Sequence, residues 1–148
     1  MIEREDFGGV YSMNDKVIPD TNFFIYSDRR KLPENIEESI LKKSKWRGVS
    51  VITILEYLSY PDIKLDEFYN YLRKNNFHIL DLNHQDTDLI TKIAEVRQEV
   101  KKVKLPDAII IGTARAEGAT LFSADKIVTR IKGKFSDFQF ELFRPKAP

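Results

Sequence analysis

Five short runs of strand length, separated by stretches with helical periodicity, constrain this chain more than any other feature. KVIP at 16–19, GVSVIT from Gly48, FHILDL from Phe77, ATLFSAD from Ala119 and FQFELF from Phe138 read as strands, through β-branched runs or apolar alternation. Between them, Asn22 to Ser27 reads as a first helix. PENIEESILKKSKW opens on Pro33 and repeats Ile36, Ile40 and Leu41 at helical spacing. ILEYLSY stops before Pro61, LDEFYNYLRKNN repeats the pattern, and residues 86–102 carry Leu89, Ile90, Ile93, Val96 and Val100 on one stripe. LPDAIIIGTARAEG places Pro106 at a helix start and Gly118 at its stop, and KIVTRIKG is a short last helix. The order β-α-α-β-α-α-β-α-α-β-α-β predicts an α/β fold, a mainly parallel central sheet flanked by helices.

The 148 residues suffice for one domain with its own core, and no internal repeat or linker divides them. Residues 1–15 read as an N-terminal extension and 16–148 as the single domain. Twenty-four Lys and Arg against 23 Asp and Glu leave a net charge of +1, so no global field attracts a polyanion and any such ligand needs a local patch. The absence of cysteine excludes disulfides, thiolate metal sites and cysteine nucleophiles, and two histidines, His78 and His84, are too few for a usual zinc centre. With no basic-then-apolar start and no apolar run of membrane-spanning length, the chain reads as cytoplasmic and soluble, with no membrane partner.

The acids fall in a pattern. Ligands of open parallel sheets bind beyond the carboxyl ends of the strands. Asp20 follows the first strand, Glu56 lies in the helix after the second, Asp125 follows the fourth, and Asp107 begins the helix leading into the fourth. Two like charges about 4 Å apart repel by roughly 4 kcal/mol at an effective dielectric near 20. Such a cluster therefore holds a cation or raises some of its own pKa values. An oxygen-only donor set points to Mg²⁺ or Mn²⁺, and a divalent cation among carboxylates most often meets phosphate, which fits phosphodiester hydrolysis. Asn22 and Ser123, each two residues from one of these acids, are placed to orient a carboxylate or a water.

Taken singly, each acid has a structural explanation. Asp107 and Glu56 suit a helix's first turns, Asp125 can cap the next helix, and Asp20 the helix beginning near Asn22. Those separate explanations do not cover the joint pattern, a strand-end acid recurring on an otherwise apolar segment with Glu56 inside the apolar ITILEYL, where an unpaired buried carboxylate is costly.

PDTN, VITILEYL, KLPDAIIIGTA and FSADK, in this order, resemble the PIN domain, and most closely the short PIN nucleases typified by VapC-type toxins of toxin-antitoxin modules. The resemblance spans the chain from about Val17 to the last strand. It implies a three-layer α/β/α domain and a Mg²⁺- or Mn²⁺-dependent endoribonuclease, with Asp20, Glu56, Asp107 and Asp125 as catalytic metal ligands and Asn22 and Ser123 beside them. It also implies a homodimer and a cognate antitoxin partner. Three features depart from the family pattern: Pro19 in an inner strand, the long segment before Lys16, and Lys126, Ile127 and Val128 where a further acid often follows the fourth.

For an RNA substrate, Lys126 is the single base favoured for contact, while KKVK at 101–104 and the run Arg29, Arg30, Lys31 are candidate phosphate neighbours. A haloacid-dehalogenase-like phosphatase needs a second Asp where this chain has Asn22, and a receiver domain needs an acid pair that does not accompany Asp20. The alternative of another class is a PIN-like fold serving as a non-catalytic RNA- or protein-binding scaffold.

Overall fold

The computed structural model of the protein describes residues 15–147, so the extension expected at 1–15 lies, but for Asp15, outside the described residues. Five strands form one sheet: β1 (Lys16–Pro19), β2 (Trp46–Ser50), β3 (Phe77–Leu80), β4 (Thr120–Ser123) and β5 (Gln139–Leu142). Their spatial order is β3-β2-β1-β4-β5. Every pairing is parallel, so the sheet is wholly rather than mainly parallel. The chain builds outward from β1 through β2 to β3, then returns to β1's other side for β4. The switch point therefore falls between β1 and β4.

Seven α-helices are described: α1 (Thr21–Asp28), α2 (Glu34–Glu38), α3 (Val51–Leu58), α4 (Leu65–Lys74), α5 (Thr87–Glu99), α6 (Leu105–Glu117) and α7 (Ile127–Ile131). Alternation along the strands splits the core in two. Val17, Val49 and Phe122 join Phe24, Ile40, Phe68 and Leu72 on one face, with α1 to α4. Ile18 and Leu121 join Ile93, Val96, Ile110 and Ile131 on the other, with α5 to α7. Two helical layers thus enclose the sheet. Each fully buried side chain such as Phe23 or Phe122 contributes roughly 2 to 3 kcal/mol through burial.

Local chemistry sets the boundaries. GVSVIT reads as a strand by β-branching, yet the strand ends at Ser50, whose hydroxyl accepts from the Ile52 N–H at 3.1 Å and caps α3 from Val51 onward. The cap overrides the β propensity of Val51, Ile52 and Thr53. The helix opened by Pro33 is α-helical only to Glu38 and π-helical over Ser39–Lys43, where Ser44 N–H reaches the Ser39 carbonyl at 3.1 Å. The stripe over 86–102 is helical only to Glu99. Val100 is extended, and a turn from its carbonyl to the Val103 N–H places Val103 in the core.

Pro19 is the last residue of β1 and pairs with Phe122 of β4, whereas pairing with β2 is confined to Lys16 and Val17. Its missing N–H falls where the β2 ladder has already ended. The next residue, Asp20, donates its N–H to the Phe122 carbonyl at 2.9 Å. Helix α1 ends with Arg29 at the cap and Arg30 in the left-handed region at φ 56°. A side chain there costs about 1 kcal/mol that glycine would avoid. Helix α6 does end on a glycine, Gly118 at φ 65°. No helix among the described residues is long and apolar enough to cross a membrane.

Candidate active site

Asp20, Glu56, Asp107 and Asp125 line one cavity of about 350 Å³. It opens at the carboxyl end of the sheet, at the switch point. Asp20 arrives from the end of β1 and Asp125 from just beyond β4, its neighbour. Glu56 reaches it from α3, whose buried residues Thr53, Ile54 and Tyr57 face the core. Asp107 lies in the first turn of α6, a helix that runs back along the sheet and so begins at the edge where β4 will end. Asn22 and Ser123 also line the cavity, while Lys126 stands exposed just before α7 and does not.

Asp20 is the anchored member, 7% exposed. Its Oδ2 accepts from the Ser123 hydroxyl at 2.8 Å and the Ala124 N–H at 3.1 Å, and its Oδ1 from the Asn22 N–H at 3.0 Å. Burial nonetheless pushes its pKa up to about 6, the hydrogen bonds opposing the shift without cancelling it. Asn22 thus serves through its backbone N–H, as part of the α1 cap. Ser123 also accepts from the Asp125 N–H at 3.0 Å, so one hydroxyl ties two of the acids' segments together.

Asp107 titrates above the usual carboxylate range, first because it is partly buried and then because Asp125 and Glu56 repel its charge; Lys104 opposes the shift. The mutual repulsion places three carboxylates in one electrostatic neighbourhood. Capping accounts for two acids in part. Asp20 caps α1, and Asp125 Oδ1 accepts from the Ile127 N–H at 2.9 Å. No cap hydrogen bond is made by Asp107, and α6 begins without a side-chain cap.

One contact was not read from the sequence. The Thr21 hydroxyl donates to Glu56 Oε1 at 2.6 Å, fixing a carboxylate 35 positions away. The only local hint is a hydroxyl immediately after the first acid, and the packing of α1 against α3 supplies the rest.

As they stand, no three Asp, Glu, His or Cys side chains among the described residues converge tightly enough to ligate one ion together. The cavity's donors are four carboxylates, the hydroxyls of Thr21, Ser59, Tyr60 and Ser123 and the Asn22 side-chain amide, without histidine or sulfur ligands, and Asp125 and Glu56 repel the charge of Asp107. This chemistry fits Mg²⁺ or Mn²⁺, which retain several waters and take few direct carboxylate ligands.

Comparison with known proteins agrees with this architecture. Residues 17–134 match the family model described as PIN domain. A search of curated proteins returns no match. Among solved structures, VapBC2 from Rickettsia felis bound to a promoter DNA fragment is 20% identical, covering 87% of this chain and 99% of that one at a TM-score of 0.65. A toxin-antitoxin complex from Klebsiella pneumoniae is 22% identical, covering 82% and 94% at 0.61. DNA-bound VapBC from Salmonella typhimurium is 23% identical, covering 85% and 96% at 0.59. These likenesses establish a shared fold, and the family match spans both faces of the sheet and all four acids: the chain belongs to the PIN domain family.

Proposed function

We propose that residues 16–148 form a single nuclease domain, a Mg²⁺- or Mn²⁺-dependent endoribonuclease acting as the toxin of a toxin-antitoxin module. The observation that carries this reading is the convergence of Asp20, Glu56, Asp107 and Asp125 on one cavity at the carboxyl end of the sheet, where Asp125 and Glu56 repel the charge of Asp107. Carboxylates gathered against their own repulsion require compensation, and a divalent cation provides it. Such an ion, when bound, neutralises phosphoryl charge and acidifies a water.

The chain's own groups divide the remaining tasks. Asp20, held by Ser123, Ala124 and Asn22, is the fixed wall of the site. Glu56, steadied on one oxygen by Thr21, keeps the other for the ion or its waters. Asp107 and Asp125 complete the donor set from the opposite side of the switch point. No cysteine is present to act as nucleophile, so the attacking group in this reading is water.

The solved relatives are toxin-antitoxin complexes, which supports a cognate antitoxin as partner. We extend the reading to a homodimer acting on RNA in the cytoplasm, with Lys126 contacting substrate beyond the cavity. The test is cleavage of a panel of single-stranded and structured RNAs in Mg²⁺, Mn²⁺ or EDTA, with Asp107→Asn purified in parallel. Metal-dependent cutting by the wild type alone is expected. Absence of cutting across the panel would transfer the assignment to the non-catalytic scaffold.

A further inference from the structure

We propose that five exposed bases, Arg29, Arg30 and Lys31 after α1 with Arg144 and Lys146 near the C-terminus, form one strip that binds the phosphodiester backbone of single-stranded RNA and leads it past Tyr60 into the acidic cavity. The inference rests on the nuclease reading for the identity of the chain it guides. In sequence the two groups of bases are far apart; two contacts unite them, and a third joins the strip to the cavity.

Phe143 is buried and meets the Tyr26 ring edge-on at 6.1 Å, which anchors the C-terminal segment beside α1. Beyond it, the Lys146 N–H donates to the Lys31 carbonyl at 2.7 Å. Arg144 and Lys146 are thereby held next to the basic run. At the other end, the Arg29 guanidinium carbon lies 6.0 Å from the centroid of the Tyr60 ring. Tyr60 is 41% exposed and lines the cavity of the four acids. The strip and the cavity therefore share one aromatic side chain.

The C-terminus of α1 favours the bases that follow it, but it does not account for Arg144 and Lys146 joining them. The last turn of α1 holds no base, and the run begins only at its cap. Arg30 occupies a left-handed position that glycine fills at lower conformational cost, as Gly118 does after α6, so its side chain stands there against local backbone preference. None of the five bases forms an ion pair among the described residues. Of the neighbouring acids, Asp28 lines the adjoining groove beside α4, and Glu34 lies in the first turn of α2.

Chemistry selects the occupant. An acidic polypeptide would suit the bases as well as a polynucleotide does, and its carboxylates, like phosphates, would meet repulsion from the cavity's acids unless a cation intervened, so charge alone does not choose between them. A polynucleotide suits both ends, its phosphates on the bases and its scissile phosphate at a cation. An exposed aromatic ring at the junction offers a stacking face to an unpaired base, which favours a single strand over a duplex.

The test is fluorescence anisotropy of a labelled, 2′-O-methylated single-stranded RNA in EDTA, titrated with salt. Removing three charges in Arg30→Gly/Arg144→Gln/Lys146→Gln should weaken binding on the order of tenfold or more at about 50 mM salt, and should lower the salt slope by about 2, at about 0.7 per charge. Arg30→Gly alone relieves the left-handed backbone, so it should bind more weakly while melting no lower than wild type. Wild-type affinity and slope in the triple variant would overturn the strip, as would equal retention of duplex RNA or tighter retention of a polyglutamate peptide. Because binding is read without cleavage, the two readings fail separately. Intact cutting with unchanged binding in the variants refutes the strip alone, and strip-dependent binding without any metal-dependent cutting refutes the nuclease alone.

Discussion

The Ser123 hydroxyl donates to Asp20 Oδ2 at 2.8 Å, joining side chains 103 positions apart at the ends of the neighbouring strands β1 and β4. The bond spans the switch point of the sheet and stabilises the most buried acid of the cavity. Ser123→Ala should therefore raise the Asp20 pKa further above about 6. Hydrogen bonds to charged groups are worth roughly 1.5 to 3 kcal/mol, so metal-free stability should fall by about that much at pH 8. The loss should be smaller at pH 4, where Asp20 is protonated. Urea unfolding at both pH values measures it, and an equal loss at both would assign the serine a purely packing role.

Asp20 also predicts the direction of the pH dependence. Its folded pKa of about 6 exceeds the ordinary value of 3.8, so the folded state binds the proton more tightly. The associated stability is fully present below pH 3.8 and is lost as pH rises through 6. A shift from 3.8 to about 6 at 1.36 kcal/mol per unit corresponds to about 3 kcal/mol. In EDTA, the melting temperature of Asp20→Asn should fall less than that of the wild type between pH 4 and pH 7.5. Parallel profiles would remove Asp20 as the source.

Gly112 is where α6 packs directly against the backbone of α5. A Cβ at this position would lie 2.5 Å from Ile93 Cγ1 and 2.7 Å from Ile93 Cα. The Cα belongs to the backbone of α5 and cannot be rotated aside. Gly112→Ala should destabilise by about 2 kcal/mol despite its gain in helix propensity. Chemical denaturation tests this, and a neutral result would show that the two helices separate at little cost.

Thr53 is fully buried on α3, and its hydroxyl has no hydrogen-bond partner among the described residues. Thr113 on α6, by contrast, donates to the Ile109 carbonyl at 2.6 Å. Thr53→Val keeps the shape and removes an unpaired polar group, and should stabilise by about 1 kcal/mol. A loss in thermal unfolding would mean that the hydroxyl has a partner.

Much of this architecture is legible along the sequence because its signals are local. Strand-length runs, the Pro106 start and Gly118 stop of α6, and acids just past apolar runs each occupy a few adjacent residues. The start of α3 is less legible, because Val51, Ile52 and Thr53 favour a strand by side-chain shape and only the Ser50 cap turns them into a helix. Thr21 holding Glu56 and Lys146 docking on Lys31 are illegible for another reason: each depends on packing between distant segments. Asp107 lies between these cases. Its residue type suits a helix start as well as a site, and only the direction of α6 against the sheet places it beside Asp125 and Glu56.

The decisive measurement for a divalent-cation site in the cavity lined by Asp20, Glu56, Asp107 and Asp125, where Asp125 and Glu56 repel the charge of Asp107, is a Mn²⁺ titration by calorimetry, with wild type and Asp107→Asn compared alongside their metal-free melting temperatures. The account predicts saturable Mn²⁺ binding by the wild type. It also predicts that Asp107→Asn binds more weakly yet is more stable without metal, by about 1 kcal/mol or less because Asp107 is only partly buried. Equal Mn²⁺ affinity in both proteins, or a clear fall in the metal-free stability of Asp107→Asn, would contradict it and return Asp107 to a structural role at the start of α6.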